Sequence, residues 1–325
     1  MGPALRALTN ELREDDELIV IDNASTDGTP DAVRAAAPDA TVIETGENPG
    51  FAAASNQGAA LTSGDLLLFL NPDAVVSRGF RDAIELPVTE GRGWAAWQGL
   101  VTAEGGRIVN SRGGTIHFTG IAWAGGAGEP LNTDEVTAGE PGFVSGACLA
   151  VPALVFENAG GFAEPFFLYH EDVDLSLRLR LGGGHLGVEP RARADHDYDF
   201  LKGPEKWRHL ERNRWATVIR TYPGSLFALL APALLATELA LVAISLAGGW
   251  GMQKLFSWFD VARWLPRLLR ERREIQSGSQ VSAGTLARAL TPDLDSSYLG
   301  AAARSRLLRA ALRGYWSAVL AVLPG

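Results

Sequence analysis

The opening residues alternate between apolar runs and helical patterns. Leu18-Ile19-Val20-Ile21 is an unbroken, β-branched run of the kind found in a strand buried on both faces. Thr41-Val42-Ile43 and Leu66-Leu67-Leu68-Phe69-Leu70 repeat the signal. Between them lie segments with helical spacing. Pro3 to Glu11 is one, with proline near its start. Another begins with Thr29 as cap and Pro30 in its first turn and runs to about Ala37. Gly50 to Leu61 is a third, built of small residues. Strands alternating with helices predict an α/β fold with a mostly parallel, doubly wound sheet. In such sheets ligands bind beyond the carboxyl ends of the strands, which is where Asp22-Asn23 and Asn71-Pro72-Asp73 fall.

Residues 91–140, rich in Gly, Thr and Trp, predict irregular strands and loops. A second ordered block follows. Phe143 to Val151 reads as a strand, Glu171 to Leu181 as a helix ended by Gly182-Gly183-Gly184, and His185 to Val188 as a short strand. From Ser225 the pattern changes. Leu226 to Ala247 is apolar throughout except for Pro232 and Glu238, near the roughly 20 residues a bilayer span needs. Lys254 to Arg273 interleaves Leu, Phe and Trp with five arginines, as interfacial amphipathic helices do. Tyr315 to Leu323 is a last apolar stretch, behind Arg304, Arg306, Arg309 and Arg313.

Charge sharpens this division. Residues 1–200 hold 12 Lys/Arg against 30 Asp/Glu, whereas residues 201–325 hold 17 against 8. So acidic a first part is a poor binder of nucleic acid, and it would meet phosphates through a metal ion. Two domains are therefore expected, one over 1–222 and a helical, membrane-associated one over 223–325. Cys148 is the single cysteine, which excludes a disulfide within the chain and fits a reducing compartment. The first residues, up to Asp16, contain no apolar signal-peptide core.

Three constellations carry candidate chemistry. Asp22-Asn23 at a strand end can read a nucleobase edge, although the same residues make a capped turn entering a helix. Asp73 directly after a buried strand suits Mg2+, which takes carboxylate and phosphate oxygens, although Asn-Pro-Asp is also good turn chemistry. Glu171-Asp172-Val173-Asp174 places three acids at a helix start after an aromatic run. Capping explains one or two of them, and a general base explains another. His196 follows a strand signal and is a candidate ligand.

The segments IVIDNASTDGT (Ile19–Thr29), ENPGFAAASNQG (Glu47–Gly58), LLLFLNPDA (Leu66–Ala74), FVSGACLAV (Phe143–Val151), GGFAEPFFLYHEDVDLSLRL (Gly160–Leu179) and KWRHLERNR (Lys206–Arg214) stand in a telling order. They resemble the family 2 inverting glycosyltransferases of GT-A fold, in their bacterial rhamnosyltransferase-like branch. The resemblance covers residues 4 to about 222. It implies a hexosyltransferase that uses Mg2+ or Mn2+, with dTDP-rhamnose as the favoured nucleotide-diphosphate sugar and a lipid-linked or cell-wall glycan as acceptor. Asp22, Asn23, Asn48, Gly50, Asn56 and Asn71 would line the donor site. Asp73, the second acid of an Asp-x-Asp motif, and His196 would hold the metal. Asp172 would be the base with Glu171 beside it, and Gly146, Phe167 and Tyr169 would face the acceptor.

Three departures matter. Asn71 stands for the first acid of the Asp-x-Asp motif, Ala163 stands where relatives carry Asp, and the chain starts at the helix that follows the family's first strand. That strand would lie between those ending at Asp22 and Asn71, so the reading frame is expected to continue upstream of Met1. The Glu211-Arg212-Asn213-Arg214 segment is a signature of the branch without a role derivable from sequence. Competing readings are a non-catalytic sugar-nucleotide binder and a sugar nucleotidyltransferase; the latter expects a Gly-rich phosphate loop that the N-terminal region lacks. The C-terminal helices predict peripheral or re-entrant attachment to the cytoplasmic face of the cell membrane. A helical cap or a homo-oligomer interface is the alternative.

Overall fold

The computed structural model describes residues 1–132, 140–197, 203–295 and 305–324; Arg304 lies outside them. In chain order the elements are α1 (Gly2–Thr9), β1 (Ile19–Asp22), α2 (Thr29–Ala36), β2 (Thr41–Glu44), α3 (Gly50–Ala59), β3 (Leu66–Leu70), β4 (Val75–Val76) and α4 (Phe80–Thr89). Next come β5 (Trp94–Ala103), β6 (Ile108–Ser111), β7 (Gly114–Ile116), β8 (Ala122–Ala124), β9 (Cys148–Pro152), α5 (Ala153–Asn158), α6 (Glu171–Leu181) and β10 (His185–Asp195). The helices α7 (Glu205–Thr221), α8 (Gly224–Ala247), α9 (Gly251–Ser277), α10 (Ala283–Ala287) and α11 (Arg306–Val322) complete the chain.

The chain forms two compact units. One comprises Met1–Gly114, Ala124–Leu175 and His185–Tyr198; the other comprises Thr115–Trp123, Ser176–Gly184 and Asp199–Gly325. The expected boundary at residue 222 falls just after α7, which packs along α9 within the second unit.

The first unit is α/β, as the hydrophobic pattern predicts, but its sheet is mixed. The strands run in the order β3-β9-β5-β10-β4, with β6 also on β5. Only β5 and β10 pair in parallel there; β9 is antiparallel to both β3 and β5. The reason is connectivity. A parallel neighbour needs a crossover, commonly helical, and between β5 and β9 the described chain contains short strands and turns but no helix. β1 and β2 pair with each other in parallel as a separate two-stranded sheet. Among the described residues β1 pairs only with β2 and β3 only with β9, so one edge of each carries no ladder.

Three strands differ from their expected extents. β5 runs for ten residues through a region that reads as irregular. Its pattern is obscured by Trp97 and Gln98, which find partners once folded: Trp97 Nε1 donates to the Ile84 carbonyl at 2.8 Å, and Gln98 Oε1 accepts from the Ser145 amide at 2.9 Å. β10 continues to Asp195, past Pro190 and two arginines. A register shift after Glu189 accommodates the proline, and Arg191 is neutralised by Glu189 at 2.7 Å. β9 begins at Cys148 rather than Phe143, because Ser145 and Gly146 turn their amides to side chains.

The core under α4 joins Phe80, Ile84, Trp97, Val101, Ala150 and Ala194. Gly99 in β5 sets how closely β10 approaches. A Cβ there would lie 2.6 Å from the Ala192 carbonyl oxygen and 2.9 Å from Cys148 Sγ. Backbone cannot yield as a flexible side chain can. Gly99→Ala should therefore cost about 1–3 kcal/mol, the usual range for overpacking, and thermal denaturation should show Tm lowered by several degrees.

Candidate functional site

The site is built at strand ends in the first unit. β3 ends at Leu70 and delivers Asn71 and Asp73; β10 ends at Asp195 and delivers His196. His196 Nε2 lies 3.1 Å from Asp73 Oδ1 and 3.3 Å from Asn71 Nδ2. The imidazole is buried and the carboxylate is largely exposed, so the trio has a protected side and an open one. His196 is held by its backbone: its amide donates to the Thr102 carbonyl at 2.8 Å, and Asn110 Nδ2 donates to its carbonyl at 2.7 Å. Asp195 braces the same turn by accepting from Thr102 Oγ1 and the amides of Gly105 and Gly106.

The Asp73 carboxylate suits Mn2+ or Mg2+, the His196 imidazole fits the softer Mn2+ better than Mg2+, and an oxygen-rich ligand such as a diphosphate would complete the shell. Among the described residues no cluster of three or more His, Cys, Asp or Glu could hold a metal by itself. The convergence of Asp73 and His196 fits a cation that shares its coordination with substrate.

A short link joins this trio to the acid cluster. The Asn71 amide donates to the Ala147 carbonyl at 3.1 Å. One residue earlier, the Gly146 amide donates to Asp172 Oδ2 at 3.1 Å. Asp172 Oδ1 accepts from the Val173 amide at 2.8 Å. Burial pushes the Asp172 carboxyl up to about 6 against the pull of these two amides. Glu171 is raised well above the usual carboxylate range, first by burial and then by its neighbours Asp172 and Asp174. Its Oε2 is buried without a hydrogen-bond partner. Of the two, Asp172 is the one that ionises near neutral pH with its oxygens fixed.

The turn before these acids is strained. Phe167 has φ 65° and ψ −62°, and Tyr169 and His170 have φ 71° and 66°. Non-glycine residues in such conformations cost on the order of 1–3 kcal/mol each. Gly50 holds the turn in place. It has φ 87°, and a Cβ would sit 2.5 Å from both Phe167 Cδ2 and the Phe167 carbonyl oxygen. The Ala52 amide reaches the same carbonyl at 3.4 Å. Phe51 closes the circle, 3.0 Å from where a Gly146 Cβ would be.

The donor-side candidates divide. Asp22 is buried and accepts from the Ser25 amide at 3.0 Å, while its carbonyl accepts from Thr45. Asn23 Oδ1 is buried with no hydrogen-bond partner. Asn48 Oδ1 caps the Gly50 amide at 3.0 Å. Asn56 is committed elsewhere. Its amide exchanges two bonds with the Phe162 backbone, at 2.9 and 2.8 Å, and reaches Glu164 at 3.2 Å. It pins the loop that leads to Phe167. Phe51, Asn110 and Gln98 are absent from the sequence-derived set. No local signal marks them, since each acts on a partner far along the chain.

Gly50→Ala should displace Phe167 and with it the start of α6. Misplacement by about 1 Å can cost about 10²-fold in rate. The expected result is a fall in kcat of that order with circular dichroism unchanged, measured by steady-state kinetics on the purified variant.

Comparison with known proteins accords with this geometry. Residues 1–84 match the family described as Glycosyl transferase family 2. Over 227 residues the chain is 29% identical to the N-acetylglucosaminyl-diphospho-decaprenol L-rhamnosyltransferase of Mycobacterium tuberculosis, covering 62% of this chain and 73% of that one. Over 154 residues it is 32% identical to the O-antigen biosynthesis protein RfbC of Myxococcus xanthus, covering 45% of this chain and 12% of that much longer one. The crystal structure of GalNAc-T7 with UDP, GalNAc and Mn2+ shares the fold, with a TM-score of 0.53 at 15% identity. That match spans 71% of this chain and 47% of the other. The strand-end site, the family match over residues 1–84 and these likenesses agree: the chain is similar to family 2 glycosyltransferases, and its first unit has a GT-A-type α/β fold.

Proposed function

We propose that the enzyme is an inverting, metal-dependent rhamnosyltransferase. It moves rhamnose from dTDP-rhamnose to a lipid-linked or cell-wall glycan acceptor at the cytoplasmic face of the membrane. The observation that carries the reading is the pairing of two sites through one loop. Asp172 is held by the Gly146 amide, and the Asn71–Asp73–His196 trio is tied to the neighbouring Ala147 carbonyl. The rhamnosyltransferase likeness supports the sugar and the lipid-linked acceptor.

In this mechanism Asp172 takes the proton of the acceptor hydroxyl. The acceptor oxygen bonds to the anomeric carbon as the bond to the diphosphate oxygen breaks on the opposite face, which inverts the configuration. The nucleoside diphosphate leaves as an anion. Asp73 and His196 would hold a divalent cation, which would supply positive charge to that leaving group. Asn71 in place of a second acid leaves the cation site less negative, so metal should bind more weakly than between two carboxylates. Asp22 and Asn23 orient the base of the donor, and Gly146, Phe167 and Tyr169 shape the acceptor side.

The test is a donor screen read by nucleoside-diphosphate release. dTDP-rhamnose should give the highest turnover, a chelator should abolish it, and Mn2+ or Mg2+ should restore it. Asp73→Ala should remove both the turnover and the metal response. Chelator-insensitive turnover would refute the cation's role, and preference for another sugar nucleotide would refute the donor.

The raised pKa of Asp172 makes a second test. Transfer should rise with pH through about 6, as the base ionises, and Asp172→Asn should lower kcat by about 10²–10⁴-fold. The sign for stability is opposite. A carboxyl whose pKa is higher folded than unfolded favours the folded state at low pH and loses that contribution as pH rises through its folded value. Asp172→Asn should therefore be more stable than the parent at pH 8, and the gain should vanish near pH 4. Thermal denaturation at the two pH values reads this directly.

A further inference from the structure

Helix α8 inverts the usual order of a surface helix. Leu226, Leu230, Leu234 and Ser245 form its buried stripe, yet the opposite side is apolar as well. Leu235, Leu239, Ile244 and Leu246 are 53–70% exposed, and the exposed residues between them are alanines and Pro232, with no charged side chain. A helix on the surface of a soluble protein carries its charges outward. The one charge of α8, Glu238, points inward. It accepts from Arg214 at 2.6 Å, from Lys254 at 2.6 Å and from the indole N–H groups of Trp215 and Trp258. Arg214 and Lys254 both also pair with Glu211. Two acids and two bases thus lock α7, α8 and α9 together, which gives the Glu211–Arg214 segment its task.

The first half of α9 continues the apolar character, with Met252, Leu255, Phe256 and Phe259 exposed. Its second half turns basic. Arg263, Arg270 and Arg273 are exposed and make no ion pair among the described residues. We propose that α8 and the first half of α9 form a monotopic docking surface for an anionic bilayer, with both helices lying in the plane of the interface and α8 not crossing. This rests on the membrane reading above and specifies its geometry.

Length alone allows a span, since α8 has 24 residues and a mean hydropathy of 2.2 over its best window. The ion cluster argues against one. Glu238 lies about 20 Å along the helix at about 1.5 Å per residue. To reach the membrane interior it would bring Glu211, Arg214 and Lys254 along. The Arg208–Asp260 and Arg220–Glu271 pairs that tie α7 to α9 would follow. Charges at that depth are expensive even when paired. Lying flat, the exposed leucines enter the acyl boundary while the cluster stays on the protein side. The free arginines favour lipid over a second copy of the chain. Of the 8 acids in residues 201–325, Glu205, Glu211, Glu238, Asp260, Glu271 and Asp293 already pair within the unit. Among the described residues the same unit of a copy would offer only Glu274 and Asp295 beyond the acids already paired, whereas anionic headgroups are abundant.

The test uses the full chain and vesicles of phosphatidylcholine with phosphatidylglycerol. The parent should float with them at low salt, and the triple variant Leu235→Ser, Leu239→Ser, Leu246→Ser should bind at least tenfold more weakly while keeping its donor hydrolysis rate. In a Cys148→Ala background, Ser225→Cys and Ala247→Cys mark the two ends of α8. Both should react with a membrane-impermeant maleimide added outside preformed vesicles. Protection of one end would mean that α8 crosses, which overturns the proposal while membrane attachment stands. Absence of vesicle binding would overturn both, leaving the sugar-transfer reading to its own assay. Loss of self-association in the triple variant, without loss of flotation, would assign the face to a second copy and overturn the proposal.

Discussion

The three residues Ser145, Gly146 and Ala147 bind the first unit together through their backbone groups. The first amide meets Gln98 in the central strand, the second meets Asp172, and the carbonyl of the third receives the Asn71 amide. Backbone groups in a buried loop must be satisfied or they cost the fold a hydrogen bond each. Here each satisfied group also fixes a side chain or strand end of the candidate site or of the central strand. Gly146 is suited to this place because a side chain would press on Phe51. The candidate base and the candidate cation site thus keep their spacing without a direct contact between them.

The same economy appears in the electrostatics. Glu171, Asp172 and Asp174 stand together at the start of α6, where the helix dipole favours negative charge. Burial opposes it and prevails, since both Glu171 and Asp172 are raised. Both carboxyls are displaced upward, Glu171 also by the charge of its acidic neighbours, while the oxygens of Asp172 are held by two amides. The strained Phe167–His170 turn belongs to the same arrangement, because the fold tolerates the strain only where Gly50 and Phe162 hold the loop from two sides.

Much of this was legible in the sequence. β3 and α6 lie where their patterns place them, and β1, α2 and β2 are displaced by a residue at most. These are local elements, with uniform apolar runs or clear caps. β5 and β10 were not legible to their full length, because Trp97 and Gln98 look out of place until Ile84 and Ser145 meet them, and because Pro190, Arg191 and Arg193 interrupt the apolar pattern of β10. The site shows the same division. Asp73, Asp172 and His196 come with motifs. The task of Asn56 is visible only once Phe162, more than a hundred positions later, is beside it. Likewise the parallel order expected of the sheet gave way to a mixed one, because among the described residues the excursion that returns β9 has no helix to carry it across.

The ion cluster of Glu211, Arg214, Glu238 and Lys254 has a consequence for how this chain can vary. Removing one member leaves its partners buried with uncompensated charge, which is strongly destabilising. Replacing the whole set by packed apolar residues can be neutral or better. The four positions are therefore joined in inheritance as well as in space. Any lineage that loses one charge is pressed to lose or exchange the others, and chains descended from a common ancestor should carry either the complete quartet or a wholly different solution, with few intermediates surviving between them.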